Sequence, residues 1–119
     1  MYERLPVGSV VYARTSYNGE FLHYHFYKID GYTRNGVRIT RIETETVYDD
    51  GKTGPHYYDD PYHVQPKTID GKYVLDTDIW QSLRKIKWNS KGEMRFKTEE
   101  CFSYQGLWDG KPLEAYNLH

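Results

Sequence analysis

His23 and His25 stand two residues apart, a spacing that puts both imidazoles on one face of a strand and suits Zn²⁺ or Cu²⁺, with Asp59, Asp60 or His63 able to complete a ligand set. Aromatic residues alternate with these histidines, however, and no Cys pair or second ligand motif accompanies them, so the pattern fits a packed or hydrogen-bonded strand face better. No metal or other cofactor is expected. Asp49-Asp50-Gly51-Lys52 lacks the alternating oxygen ligands of a Ca²⁺ loop and reads as a solvated turn. Cys101 follows Glu99 and Glu100, whose negative charge disfavours the thiolate that a nucleophile needs. Glu43 and Glu45 share a strand face as a carboxylate pair would, but Glu alternating with Thr is the pattern of a solvated strand. No nucleophile elbow, phosphate-cradling glycine loop or His-Glu-x-x-His pattern occurs, and no catalytic residue is assigned.

Charge is more informative than any catalytic motif. The chain carries a formal net charge of −1, yet residues 81–97 hold Arg84, Lys85, Lys87, Lys91, Arg95 and Lys97 against Glu93 alone. Residues 43–60 hold Glu43, Glu45, Asp49, Asp50, Asp59 and Asp60 against Lys52 alone. A nearly neutral protein therefore has two oppositely charged regions. The basic segment could follow a nucleic-acid backbone through Arg84, Lys85, Lys87, Lys91 and Arg95, with Trp88 and Phe96 offered to bases. Ile86 and Trp88 alternate with Lys85 and Lys87, as on an ordinary half-buried strand, and a pI near 6.5 lies below that of a typical nucleic-acid module. The acidic segment leads into Tyr57-Tyr58-Asp59-Asp60-Pro61-Tyr62, where rigid amphipathic rings and carboxylates would complement a basic partner. Tyr57, Tyr58, Asp59, Asp60 and Tyr62 are the residues expected to bind a protein.

The elements that position these groups follow from composition. Of 119 residues 13 are Tyr and only 2 are Ala, so the apolar mass is aromatic and a helical bundle is excluded. The chain is expected to form one domain, 1–119, mainly β, as a small antiparallel β-barrel or bent sheet, SH3-like in size, with one short helix and a long inserted loop over 49–71. No apolar run is long enough to span a membrane, and a single Cys fits a reducing compartment. A soluble, cytoplasmic protein is the expectation.

Asn18-Gly19 and Asn35-Gly36 mark reversals between strands at 9–16, 21–30 and 37–48. In the second of these Phe21, His23, His25, Tyr27 and Ile29 share one face and Leu22, Tyr24, Phe26 and Lys28 the other, which predicts a central strand covered on both sides. The polar far end of the third reads as an edge, open in principle to pairing with a second copy. Asp78 reads as the cap of a helical turn through Ile79, Trp80 and Leu83. Strands 84–88 and 94–100 flank a hairpin loop at Asn89-Ser90-Lys91-Gly92, and Trp108-Asp109-Gly110-Lys111-Pro112 forms an anchored turn.

Val7-Gly8-Ser9-Val10-Val11-Tyr12, Ser16-Tyr17 and His25-Phe26-Tyr27-Lys28-Ile29, with the distal Trp108 turn, Tyr116 and His119, resemble the terminal motifs of a family of small uncharacterised bacteriophage and plasmid proteins. The resemblance covers the two ends of the chain and implies a phage-like origin and residence in the host cytoplasm. The resulting expectation is a non-catalytic accessory protein that binds a host or viral macromolecule, for instance in counter-defence, through the Tyr-rich loop. Nucleic-acid binding by the basic hairpin is the alternative, and capture of a small ligand or nucleotide in an aromatic pocket lined by Tyr24, Phe26 or Trp108 is a third reading.

Overall fold

Alternating β-branched and aromatic residues produce strands throughout the computed structural model, which describes residues 3–17, 21–47, 62–76, 82–99 and 102–117. β1 (Val10–Tyr17) and β2 (Phe21–Tyr32) pair antiparallel from Val10 opposite Lys28 to Tyr17 opposite Phe21, which leaves three residues between the strands where the Asn18-Gly19 signal suggests a two-residue turn. β3 (Gly36–Ile42) returns along β2, with a bulge between Ile29 and Gly31. Gly36 is needed at this reversal because an added Cβ would sit 2.8 Å from Thr33 Oγ1 and 3.0 Å from Leu83 Cδ1. After Glu43 the same run continues as β4 (Thr44–Val47), an edge strand, as its polar composition predicts.

Of the expected loop over 49–71, residues 49–61 lie outside the described residues, and the remainder holds short strands. β5 (Tyr62–Pro66) lies between β4 and the last strand, and β6 (Thr68–Ile69) and β7 (Lys72–Tyr73) form a small hairpin. Asp70 and Gly71 turn that hairpin with φ of 52° and 76°, the left-handed pair of a type I′ turn. β8 (Ser82–Lys85) pairs with β3, so Leu83 is in a strand and not in the expected helix, while Asp78, Ile79 and Trp80 lie outside the described residues. No helix among the described residues is long and apolar enough to cross a membrane.

β9 (Lys87–Trp88) and β10 (Met94–Arg95) form the basic hairpin, followed by β11 (Lys97–Glu99), β12 (Phe102–Ser103), β13 (Gly106–Leu107) and β14 (Leu113–Asn117). The main sheet runs β13-β1-β2-β14-β5-β4, and β3 with β8 branches from the same edge of β2 as β14. The fold is mainly β, and its sheets are not closed into a barrel.

Both faces of the β1–β2 sheet are covered, which is what the two apolar faces of β2 demand. Val11, Ala13, Tyr27, Ile29, Val37 and Ile39 face a cluster completed by Ile86, Met94, Phe96 and Tyr104. On the opposite face Val10, Phe26 and Ile42 meet Val64 and Ala115, with Tyr12, Tyr24, Trp108 and Leu113 packed around them. The Trp108 turn is anchored as its sequence predicts: the indole N–H donates to the Lys111 carbonyl at 2.8 Å, and the Lys111 amide donates to Asp109 Oδ1 at 2.9 Å. Phe26 is fully buried and meets Trp108 edge-on at 6.0 Å, so these two rings fill core volume, while Tyr24 of the same expected set lines a cleft beside β2.

Candidate functional site

The basic segment folds as two short strands on either side of a corner. Ile86 is buried, and its amide donates to the Asn35 carbonyl at 3.0 Å, fixing the bend between β8 and β9. At the hairpin tip the Asn89 side chain accepts from the amides of Lys91 and Glu93, each at 2.9 Å, and donates to Glu93 Oε1 at 3.0 Å. Gly92 closes the turn with φ of 79°. The loop at 89–92 therefore forms where its sequence places it.

Between these strands runs a groove of about 490 Å³ lined by Arg84, Lys85, Lys87, Arg95 and Lys97, with Leu83 and Phe96 as its apolar part. Successive residues of β8 line it, inward Arg84 as well as outward Leu83 and Lys85, so it follows the edge of β8 that faces away from β3. No carboxylate lines it among the described residues. The structure thus brings together Arg84, Lys85, Lys87 and Arg95 of the expected basic set. It places Lys91 at the hairpin tip, on a neighbouring cleft with Glu93, and adds Lys97, which the expected set omitted.

Arg84 differs from its neighbours. It stands opposite Val37, and directly opposed residues of an antiparallel pair point to the same face, here the one that carries the buried Val37. Its stem is drawn inward, and Nε is buried without a hydrogen-bond partner. A buried donor left unsatisfied costs about 1–3 kcal/mol, and more for a charged group.

Arg95 is held rigidly. Its guanidinium lies over the Tyr104 ring, 4.3 Å from the centroid, and donates to the Tyr104 carbonyl, while the Tyr104 hydroxyl donates to the Met94 carbonyl. Phe96 is 3% exposed and lies 4.6 Å from the Tyr104 ring, so it is not available to stack on a base. Trp88, 36% exposed, is not part of the groove lining.

Burial raises the Tyr104 hydroxyl above its ordinary pKa of 10.0, against the opposing pull of Arg95. Its stabilising contribution is therefore complete below the unfolded value and drains away as pH climbs through the higher folded value. The denaturation midpoint should fall between about pH 8 and about pH 11, and Tyr104→Phe should fall less over that interval.

Of the residues expected to bind a protein, Tyr57, Tyr58, Asp59 and Asp60 lie outside the described residues. Tyr62 opens β5, with its backbone opposite Ala115. His25 Nδ1 is 2.7 Å from Arg41 Nη2, no group of three or more metal-ligating side chains occurs among the described residues, and Asp59 and Asp60 of the possible ligand set lie outside them. Glu43 and Glu45 are drawn apart, the first to Lys67 at 3.8 Å and the second accepting from Gln65 at 2.8 Å. No protein-family model matches the chain, and no curated protein or solved structure matches it.

Proposed function

We propose that the protein is a non-catalytic binding module that holds the phosphate backbone of nucleic acid in the groove between β8–β9 and β10–β11. The observation that carries this reading is the buried Arg84 Nε, without a hydrogen-bond partner, within a lining that among the described residues holds five cations and no carboxylate. A phosphate oxygen would satisfy that donor with a charge-assisted hydrogen bond, while Lys85, Lys87 and Lys97 neutralise adjacent phosphates. With Phe96 packed into the core, no ring in the groove is available for stacking, so binding is to the backbone and independent of sequence. Affinity at physiological salt is expected on the order of 1–100 µM, the range of non-specific association. An open forked sheet suffices for this role, and a closed SH3-like barrel is not required by it.

The test is Arg84→Met, which keeps the unbranched stem out to the position of Nε and removes the donors. Binding to a fluorescent duplex should weaken about tenfold or more, while the denaturation midpoint stays unchanged or rises because an unsatisfied buried donor has gone. Unchanged binding in this variant would refute the assignment. The Tyr-rich segment with Tyr57, Tyr58, Asp59, Asp60 and Tyr62 remains a proposal for a protein partner, supported by composition alone; the groove carries more weight because its side chains are placed.

A further inference from the structure

β14 pairs with β2 at Phe21 and Leu22, and β3 takes up the same edge of β2 only at Phe26, so the two strands diverge on either side of 23–25. The fork opens a cleft of about 310 Å³ that shares no lining residue with the basic groove. Its polar lining is His23, Tyr24 and His25 from β2, Arg41 from β3, and Thr44 and Thr46 from β4; the buried Val64 and Ala115 contribute apolar wall. No carboxylate lines it among the described residues.

The chemistry of Arg41 and His25 fixes which groups donate. A guanidinium has no acceptor, so at 2.7 Å from Arg41 Nη2 the His25 Nδ1 must accept, and the ring proton resides on Nε2. His25 is then a neutral N–H donor. On its other side Arg41 Nε lies 3.9 Å from Asp76 Oδ2, which balances its charge and braces the guanidinium between two elements. Arginine, imidazole and two threonine hydroxyls thus surround one small polar cleft from three strands, with no carboxylate in the lining among the described residues.

We propose that this cleft binds a tetrahedral oxyanion, the phosphate group of a small molecule, separately from any polyanion in the basic groove. Donors distributed over three strands match the several faces of a phosphate better than the single plane of a carboxylate, and the volume admits a phosphate with a small substituent. Arg41, braced by Asp76, supplies guanidinium N–H donors, and Thr44 and Thr46 supply hydroxyls that orient the anion.

The experiment follows the imidazole nitrogen resonances of ¹⁵N-labelled protein during titration with inorganic phosphate, glycerol 3-phosphate and acetate in separate arms. The His25 spectrum should show the Nε2–H tautomer, and phosphate or the phosphomonoester should shift the His23 and His25 signals saturably. Tighter binding of the ester would identify the anion as the head of a larger ligand; equal binding would identify free phosphate. Arg84→Met should leave these shifts intact, so failure of the groove and failure of the cleft can be told apart. Arg41→Gln should weaken binding about tenfold or more, as should Thr44→Val combined with Thr46→Val, two exposed edge-strand positions where valine preserves the fold. No saturable shift in the millimolar range, an equal response to acetate, or undiminished binding in the threonine variant would overturn the proposal.

Discussion

Reversing two charges on the groove, Lys85→Glu with Lys87→Glu, should abolish measurable binding to duplex DNA while leaving the fold intact. Both lysines are exposed, and surface substitutions of this kind change stability by about 0.5 kcal/mol or less. The binding effect is far larger. Each neutralised phosphate releases about 0.9 of a counterion, so losing two contacts at ~0.1 M salt lowers affinity about 60-fold before repulsion is counted. Fluorescence anisotropy of a labelled duplex, with circular dichroism to confirm folding, checks both halves. A folded double variant that binds like the parent would mean that the cations are only a solvated face.

The second large effect belongs to the core. Phe26→Ala should destabilise the protein by about 3–5 kcal/mol, a large share of the roughly 5–15 kcal/mol expected for a domain. Phe26 is fully buried and in edge-on contact with Trp108, within the cluster formed with Ile42, Val64 and Ala115. It also lies where β3 joins β2, opposite Ile42, so a cavity there loosens the junction between the two branches of the sheet. Urea denaturation should show a lower midpoint with an unchanged slope. A loss below about 1 kcal/mol would show that the neighbouring rings collapse into the space.

What was legible in the sequence was local. The two apolar faces of β2, the polar edge strand after Glu43, the Asn89 hairpin and the Trp108 turn all follow from alternation and turn chemistry within a few residues. β5 was hidden because Pro61 and Pro66 bracket a run in which Val64 alone has a branched apolar side chain; Pro66 is tolerated at the strand's end. The Asp70-Gly71 turn carried a readable hairpin signal that the surrounding loop composition masked. Leu83 fitted a helical period, but pairing of β8 with β3 prevails there, opposite Arg38. The groove was half legible: its charges are printed in the sequence, whereas the burial of Arg84 depends on its register with Val37, a contact between distant segments that no local pattern encodes. Phe96 looked available for stacking because alternation does not reveal that Tyr104 covers it.

The most direct test of the groove is the salt dependence of duplex binding. If Arg84, Lys85, Lys87, Arg95 and Lys97 each engage a phosphate, the logarithm of the association constant should fall against the logarithm of salt concentration with a slope of about −4 to −5. In the Lys85→Glu, Lys87→Glu variant any residual slope should be shallower by about 2. A slope near zero, or the same slope in both proteins, would contradict a phosphate-binding role for this groove.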